Sequence, residues 1–185
     1  MLSDNDIKEA IKNNNIIVEP FSENQLNPAA LSIHLGFEFL KPKSGNIIDP
    51  LNDIKEDIYQ KISLSENDTY VLKPDEFILG ETFEKIGISK NMGFLLDGTS
   101  TMARLGVSIV QTAMVVDTGV GATRAKKITL EIKNNGNNSV VLRPRMKIGR
   151  AVIFKLNTTS SYGYDERRKY KDQTGVGVPI KTERV

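Results

Sequence analysis

Short runs of β-branched and apolar residues recur along this chain, each closed by Gly, Pro, Asn or Asp, and no other feature restricts the fold as much. NIIVEP, AALSIHLG, FEFLKP, TYVLKPDEFILGET, MGFLLDG, GVSIVQTAMVVDTG, KKITLEIKNNG, SVVLRP and KIGRAVIFKL follow one another in that order. Turn signals every 8–12 residues or so mark a sandwich or barrel, since each run supplies one strand and each breaker cluster one turn. A mainly β domain with a jelly-roll-like barrel is expected.

Three stretches depart from that rhythm. Ser3 and Asp6 match a weak capping box, and Ile7, Ala10 and Ile11 form one apolar stripe behind it, which predicts a short N-terminal helix. LNDIKEDIYQ, residues 51–60, follows Pro50 and carries Ile54 and Ile58 at helical spacing, so a second helix on the surface is expected there. From Ser160 to Val185 the chain turns charged and glycine-bearing, which suits a mobile tail or lid over about 157–185. No repeat and no linker divides the 185 residues, so one domain is expected.

With 25 Lys plus Arg against 23 Asp plus Glu, the charge is too balanced for a nucleic-acid arm or a membrane-surface protein. Cysteine is absent, which removes disulfides, thiol nucleophiles and thiolate zinc sites. The polar, acidic amino terminus is no secretory signal and no apolar run approaches transmembrane length, so a cytoplasmic protein is the expectation.

Chemistry concentrates in a few places. In DGTSTMARLG, Ser100 and Arg104 stand four positions apart, one helical turn, and share a face of any helix there. Alone they read as a cap and a surface charge; with neighbouring hydroxyls and N–H groups they read as an anion-receiving surface. Glu131 alternates with Ile128, Leu130 and Ile132 in KKITLEIK. It is either a solvent-facing carboxylate or, if that face lines a barrel mouth, a general base. Asp117 meets a turn in MVVDTG and suits an Asx-turn, a sugar hydroxyl or water activation. His34, the single histidine, lies in an alternating run and reads as a strand residue rather than a ligand.

Taken in order, these stretches resemble the dCTP deaminase family, a branch of the trimeric dUTPase superfamily. MLSDNDIKEAI is similar to its amino-terminal helix, NPAALSIHLG to its first motif, and LLDGTSTMARLG to its W-L-D-G-R-S-S-L-A-R-L-G. QTAMVVDTG, ITLEIKNNG, LRPRMKIGRAVIF and KYKDQTG follow in the family's order. The resemblance implies a dUTPase-type distorted barrel, a homotrimer with active sites between subunits, and a carboxy-terminal segment folding over bound nucleotide. It places the catalytic group on Ser100, Arg104 and Glu131, and substrate contacts on Thr99, Thr101, Gln111, Thr112, Ala113, Asp117, Thr129, Tyr164, Lys169 and Gln173.

The implied reaction is hydrolytic deamination of dCTP to dUTP and ammonia, with further hydrolysis to dUMP and diphosphate in bifunctional relatives. Glu131 would activate water, Ser100 would bind that water or the oxygen developing on C4, and Arg104 would orient and neutralise it. Without cysteine and with one histidine the chain cannot build the His/Cys zinc site of other cytidine deaminases, so a deaminase here works without zinc. Mg²⁺ would accompany the triphosphate, with no direct protein ligands.

The pattern also departs from the family. Thr99 replaces an arginine that usually binds phosphate; Ser32 and His34 replace an aspartate and an arginine; Met114 and Val115 replace His-Arg. The turn after Asp117 is about four residues longer than the family's, and its Arg124, Lys126 and Lys127 are the candidates to replace the missing phosphate cations. Two other readings stay open: a dUTPase-type diphosphatase with Asp117 activating water, and a nucleotide-binding or regulatory homologue with weak turnover.

Overall fold

The computed structural model describes residues 1–167 and 169–183. Helix α1, Asp4–Lys12, begins at the expected capping box: the Ser3 hydroxyl accepts from the Asp6 N–H while Asp6 reaches back to the Ser3 N–H. It buries Ile7 and Ala10. The strands that follow are β1 Ile16–Glu19, β2 Leu26–Asn27, β3 Ala30–His34, β4 Glu38–Pro42, β5 Tyr59–Ser63, β6 Tyr70–Leu72 and β7 Phe77–Glu81. After them come β8 Lys85–Ile88, β9 Met92–Gly98, helix α2 Ser100–Arg104, β10 Val107–Ser108 and β11 Val115–Val116. The chain closes with β12 Thr129–Asn134, β13 Val140–Leu142, β14 Lys147–Lys155 and helix α3 Tyr164–Arg167.

Two five-stranded antiparallel sheets carry the molecule, ordered β10-β12-β7-β4-β5 and β11-β9-β14-β3-β2. One hydrophobic core draws on both: Ile78, Leu130 and Ile132 from the first, and Ile33, Phe94, Leu96 and Ile153 from the second. Alternation does the sorting. Along β12 every second residue is buried, so Leu130 and Ile132 face the core while Thr129 and Glu131 face the other way. The architecture is the mainly β one expected.

Residues 51–60 are not a helix. The segment holds a single 3₁₀ turn, Glu56–Ile58, and Tyr59 already opens β5, which pairs with β4 from Pro42↔Tyr59 to Glu38↔Ser63. Ile54 and Ile58 do share a cluster, but it is the small one around Leu40, Tyr59 and Leu79, and the edge of β4 offered a better place for the backbone than helical hydrogen bonds. The tail packs back onto the rest of the chain. Tyr164 N–H donates to the Thr118 carbonyl (2.8 Å) and Lys90 holds the Glu166 carboxylate (2.5 Å), which keeps that carboxyl below its ordinary range. Of residues 157–185, Arg168, Arg184 and Val185 lie outside the described residues.

Candidate active site

Ser100 and Arg104 do share the short helix α2, but Thr99, not Ser100, caps it: the Thr99 hydroxyl accepts from the Met102 N–H at 3.2 Å. Met102 is buried and ties the helix to the core. The Leu105 carbonyl then meets Gly106 at φ +80, where a side chain would strike Gly136, so only glycine turns the chain into β10 here. Ser100, Thr101 and Arg104 are left exposed.

Two openings matter. The first, a cavity of about 310 Å³, is lined by Thr129 and Glu131 of β12, Ala113, Asp117, Lys126 and Lys127, and by Tyr164, Tyr170 and Gln173 of the tail. Glu131 is held in place: its Oε2 accepts the Gln111 N–H at 3.0 Å, and its own N–H donates to the Ile109 carbonyl at 2.9 Å. The Gln111 side chain closes the loop by donating to Ser108 Oγ (2.8 Å) and the Glu131 carbonyl (3.3 Å). Gln173 Nε2 donates to Thr129 Oγ1 at 2.6 Å, so the tail touches the strand that carries Glu131.

The second opening is a groove of about 560 Å³ beside α2, lined by Thr99, Ser100, Ser108, Asn135, Asp97 and Arg150 among others. Ser100 and Glu131 thus line different openings of one chain. Arg104, Thr101, Gln111 and Thr112 line neither, and Lys169 turns to the Lys181 carbonyl (2.9 Å). Ala113, Asp117, Thr129, Tyr164 and Gln173 do meet around Glu131.

The longer turn after Asp117 does not present its lysines outward. Lys126 is buried and pairs with Asp165 of the tail (2.6 Å), whose other oxygen accepts the Gly121 N–H (2.9 Å). Lys127 pairs with Glu81, a strand carboxylate only 2% exposed that also accepts the Val176 N–H (3.1 Å). Both cations are therefore committed to carboxylates, and only Arg124 of the proposed replacements stays exposed. His34 is a strand residue as expected, with an unforeseen role: its Nδ1 lies 2.5 Å from the buried Glu84 carboxylate. Nothing in GETFEK marks Glu81 and Glu84 as interior, because the partners that reach them, Lys127 and His34, lie 46 and 50 residues away. Among the described residues no group of three or more His, Asp or Glu stands ready to hold a metal ion.

The sheets share the fold of the 2'-deoxycytidine 5'-triphosphate deaminase of Agrobacterium tumefaciens, on which the chain superposes with a TM-score of 0.62 over 82% of its length, at 17% identity. It spans 46% of that longer chain. Residues 1–156 match the family described as dCTP deaminase-like, and the chain belongs to that family. It is 32% identical over 181 residues to a dCTP deaminase, dUMP-forming, of Dictyoglomus turgidum, covering 95% of this chain and 91% of that one. It is likewise 32% identical over 182 residues to a dCTP deaminase of Haloarcula marismortui, covering 95% and 91%.

Proposed function

We propose that this protein deaminates dCTP hydrolytically, giving dUTP and ammonia, and carries the product on to dUMP and diphosphate. The observation that carries the reading is Glu131: a carboxylate anchored by a backbone N–H, facing a cavity just large enough for a pyrimidine nucleoside, in a chain whose relatives are named for this reaction. Water adds to C4 as Glu131 takes one of its protons and passes it to N3; the remaining hydroxyl proton then goes by way of Glu131 to the amino group and ammonia leaves with the C4–N bonding pair, so that C4 is left with a carbonyl oxygen and N3 with a hydrogen. Ser100 and Arg104 complete the centre by binding the oxygen on C4 and opposing its charge.

Because Ser100 and Glu131 line separate openings, one chain does not assemble this group, and a homotrimer that brings α2 of one copy to the cavity of the next is the arrangement we propose. Tyr164, Tyr170 and Gln173 serve as a lid over the base. The chemistry needs no zinc, since the chain has no cysteine and one histidine. Mg²⁺ arrives as part of the nucleotide triphosphate, keeping most of its waters.

Asp117 lines the same cavity and supports a second reading, a diphosphatase acting on dUTP alone. Purified protein with Mg²⁺ and either dCTP or dUTP separates them. Ammonia and dUMP from dCTP, unaffected by a zinc chelator, are expected; diphosphate from dUTP with no ammonia from dCTP would select the diphosphatase, and saturable binding without product would leave a nucleotide-binding homologue.

A further inference from the structure

Thr99 stands where the resemblance places a phosphate-binding arginine, and its hydroxyl, which accepts the Met102 N–H as the cap of α2, brings no positive charge. The lysines of the long turn do not replace that charge, since Lys126 and Lys127 face Asp165 and Glu81 and line the other opening. The Ser100 groove nevertheless holds one cation among its lining residues, Arg150. It comes from β14, far along the chain, and reaches the groove because the β9–β14 ladder sets Arg150 opposite Asp97, two residues before Thr99.

The half-buried Arg150 leans toward this turn: its Nε donates to the Gly98 carbonyl, a long contact of 3.4 Å and the one side-chain hydrogen bond it makes among the described residues. A guanidinium carries five N–H donors in a planar fork that matches a phosphate edge. Ser100, Ser108 and Asn135 add neutral donors around the same groove. The groove's single lining carboxylate, Asp97, accepts the Gly98 N–H at 2.7 Å and stands directly across the ladder, so without Arg150 this groove would be net acidic and would repel a phosphate.

We propose that Arg150 is a substrate-binding residue that takes the phosphate chain of a nucleoside triphosphate in the Ser100 groove, supplying from β14 the charge that Thr99 lacks. The assignment rests on the site being one for nucleoside triphosphates. It also explains how the helix-cap threonine is tolerated: the cation has moved to the neighbouring strand.

The test uses inorganic triphosphate as the probe, titrated calorimetrically at fixed ionic strength into wild-type protein, Arg150→Gln and Arg150→Lys, with dCTP kinetics on the same preparations. Arg150→Gln is expected to weaken triphosphate binding and raise the KM for dCTP by about tenfold to a hundredfold, the scale of losing a hydrogen bond to a charged group, with kcat little changed. Arg150→Lys keeps a point charge without the fork and should fall between; it carries the comparison alone if the glutamine variant does not fold. Unchanged triphosphate affinity in the variants, or no triphosphate binding by the wild type, overturns the assignment. Arg150-dependent triphosphate binding with no turnover of dCTP would uphold it while removing the deaminase reading.

Discussion

Glu131 owes its usefulness to two neighbours in sequence and one in space. Leu130 and Ile132 are fully buried, so the pleat turns the carboxylate between them toward the cavity, and the Gln111 N–H fixes one of its oxygens. Glu131→Gln keeps the shape and the hydrogen bond from Gln111 but removes the proton acceptor proposed for the deamination. Deamination should fall by roughly 10²–10⁴-fold with nucleotide binding largely retained. A rate close to wild type, measured by ammonia release, would assign the base to another group. Ser100 and Thr99 divide their labour at this scale too: the threonine caps α2, which leaves the serine hydroxyl exposed beside the groove.

Among the elements, the tail is the one whose role the barrel reveals. Its anchors include the Lys126–Asp165 pair, Gln173 on Thr129, and Val176 on Glu81. Of these the Lys126–Asp165 contact is the ion pair, with Lys126 buried, and removing one partner leaves Lys126 without its counter-charge, a loss of up to about 3–5 kcal/mol in sites of this kind. Because the pair joins tail to barrel, the cost is expected to appear as release of the tail. In Asp165→Asn, trypsin should cut at Lys169, Lys171 and Lys181 faster than in the wild type while the thermal unfolding of the barrel changes far less. Equal cleavage rates would show that Asp165 is not what holds the tail.

At the scale of the whole molecule, the exposed apolar residues point the same way as the divided site. Strand β11 is the edge of its sheet, and its Val115, with Met114 before it, is 57% and 48% exposed. An edge strand with apolar side chains calls for a cover. Light scattering is expected to give a mass of three chains, and Val115→Lys should shift it toward one chain with loss of activity. A fully active monomer would refute the shared site.

The alternation of KKITLEIK, the capping box of α1 and the one-turn spacing of Ser100 and Arg104 are local properties, decided by pleat and helix geometry, and each was legible in the sequence alone. So was the family, whose motifs sit in order along the chain. Local rules failed where long-range pairing set the outcome. Residues 51–60 carry helical spacing, yet Tyr59 joins β4 because an open strand edge satisfies its backbone groups. Glu81 and Glu84 are charged, yet they are interior because Lys127 and His34 come to them from 46 and 50 residues away. Arg150 read as one more strand residue. Only the β9–β14 register, which no sequence spacing encodes, put its guanidinium beside Ser100.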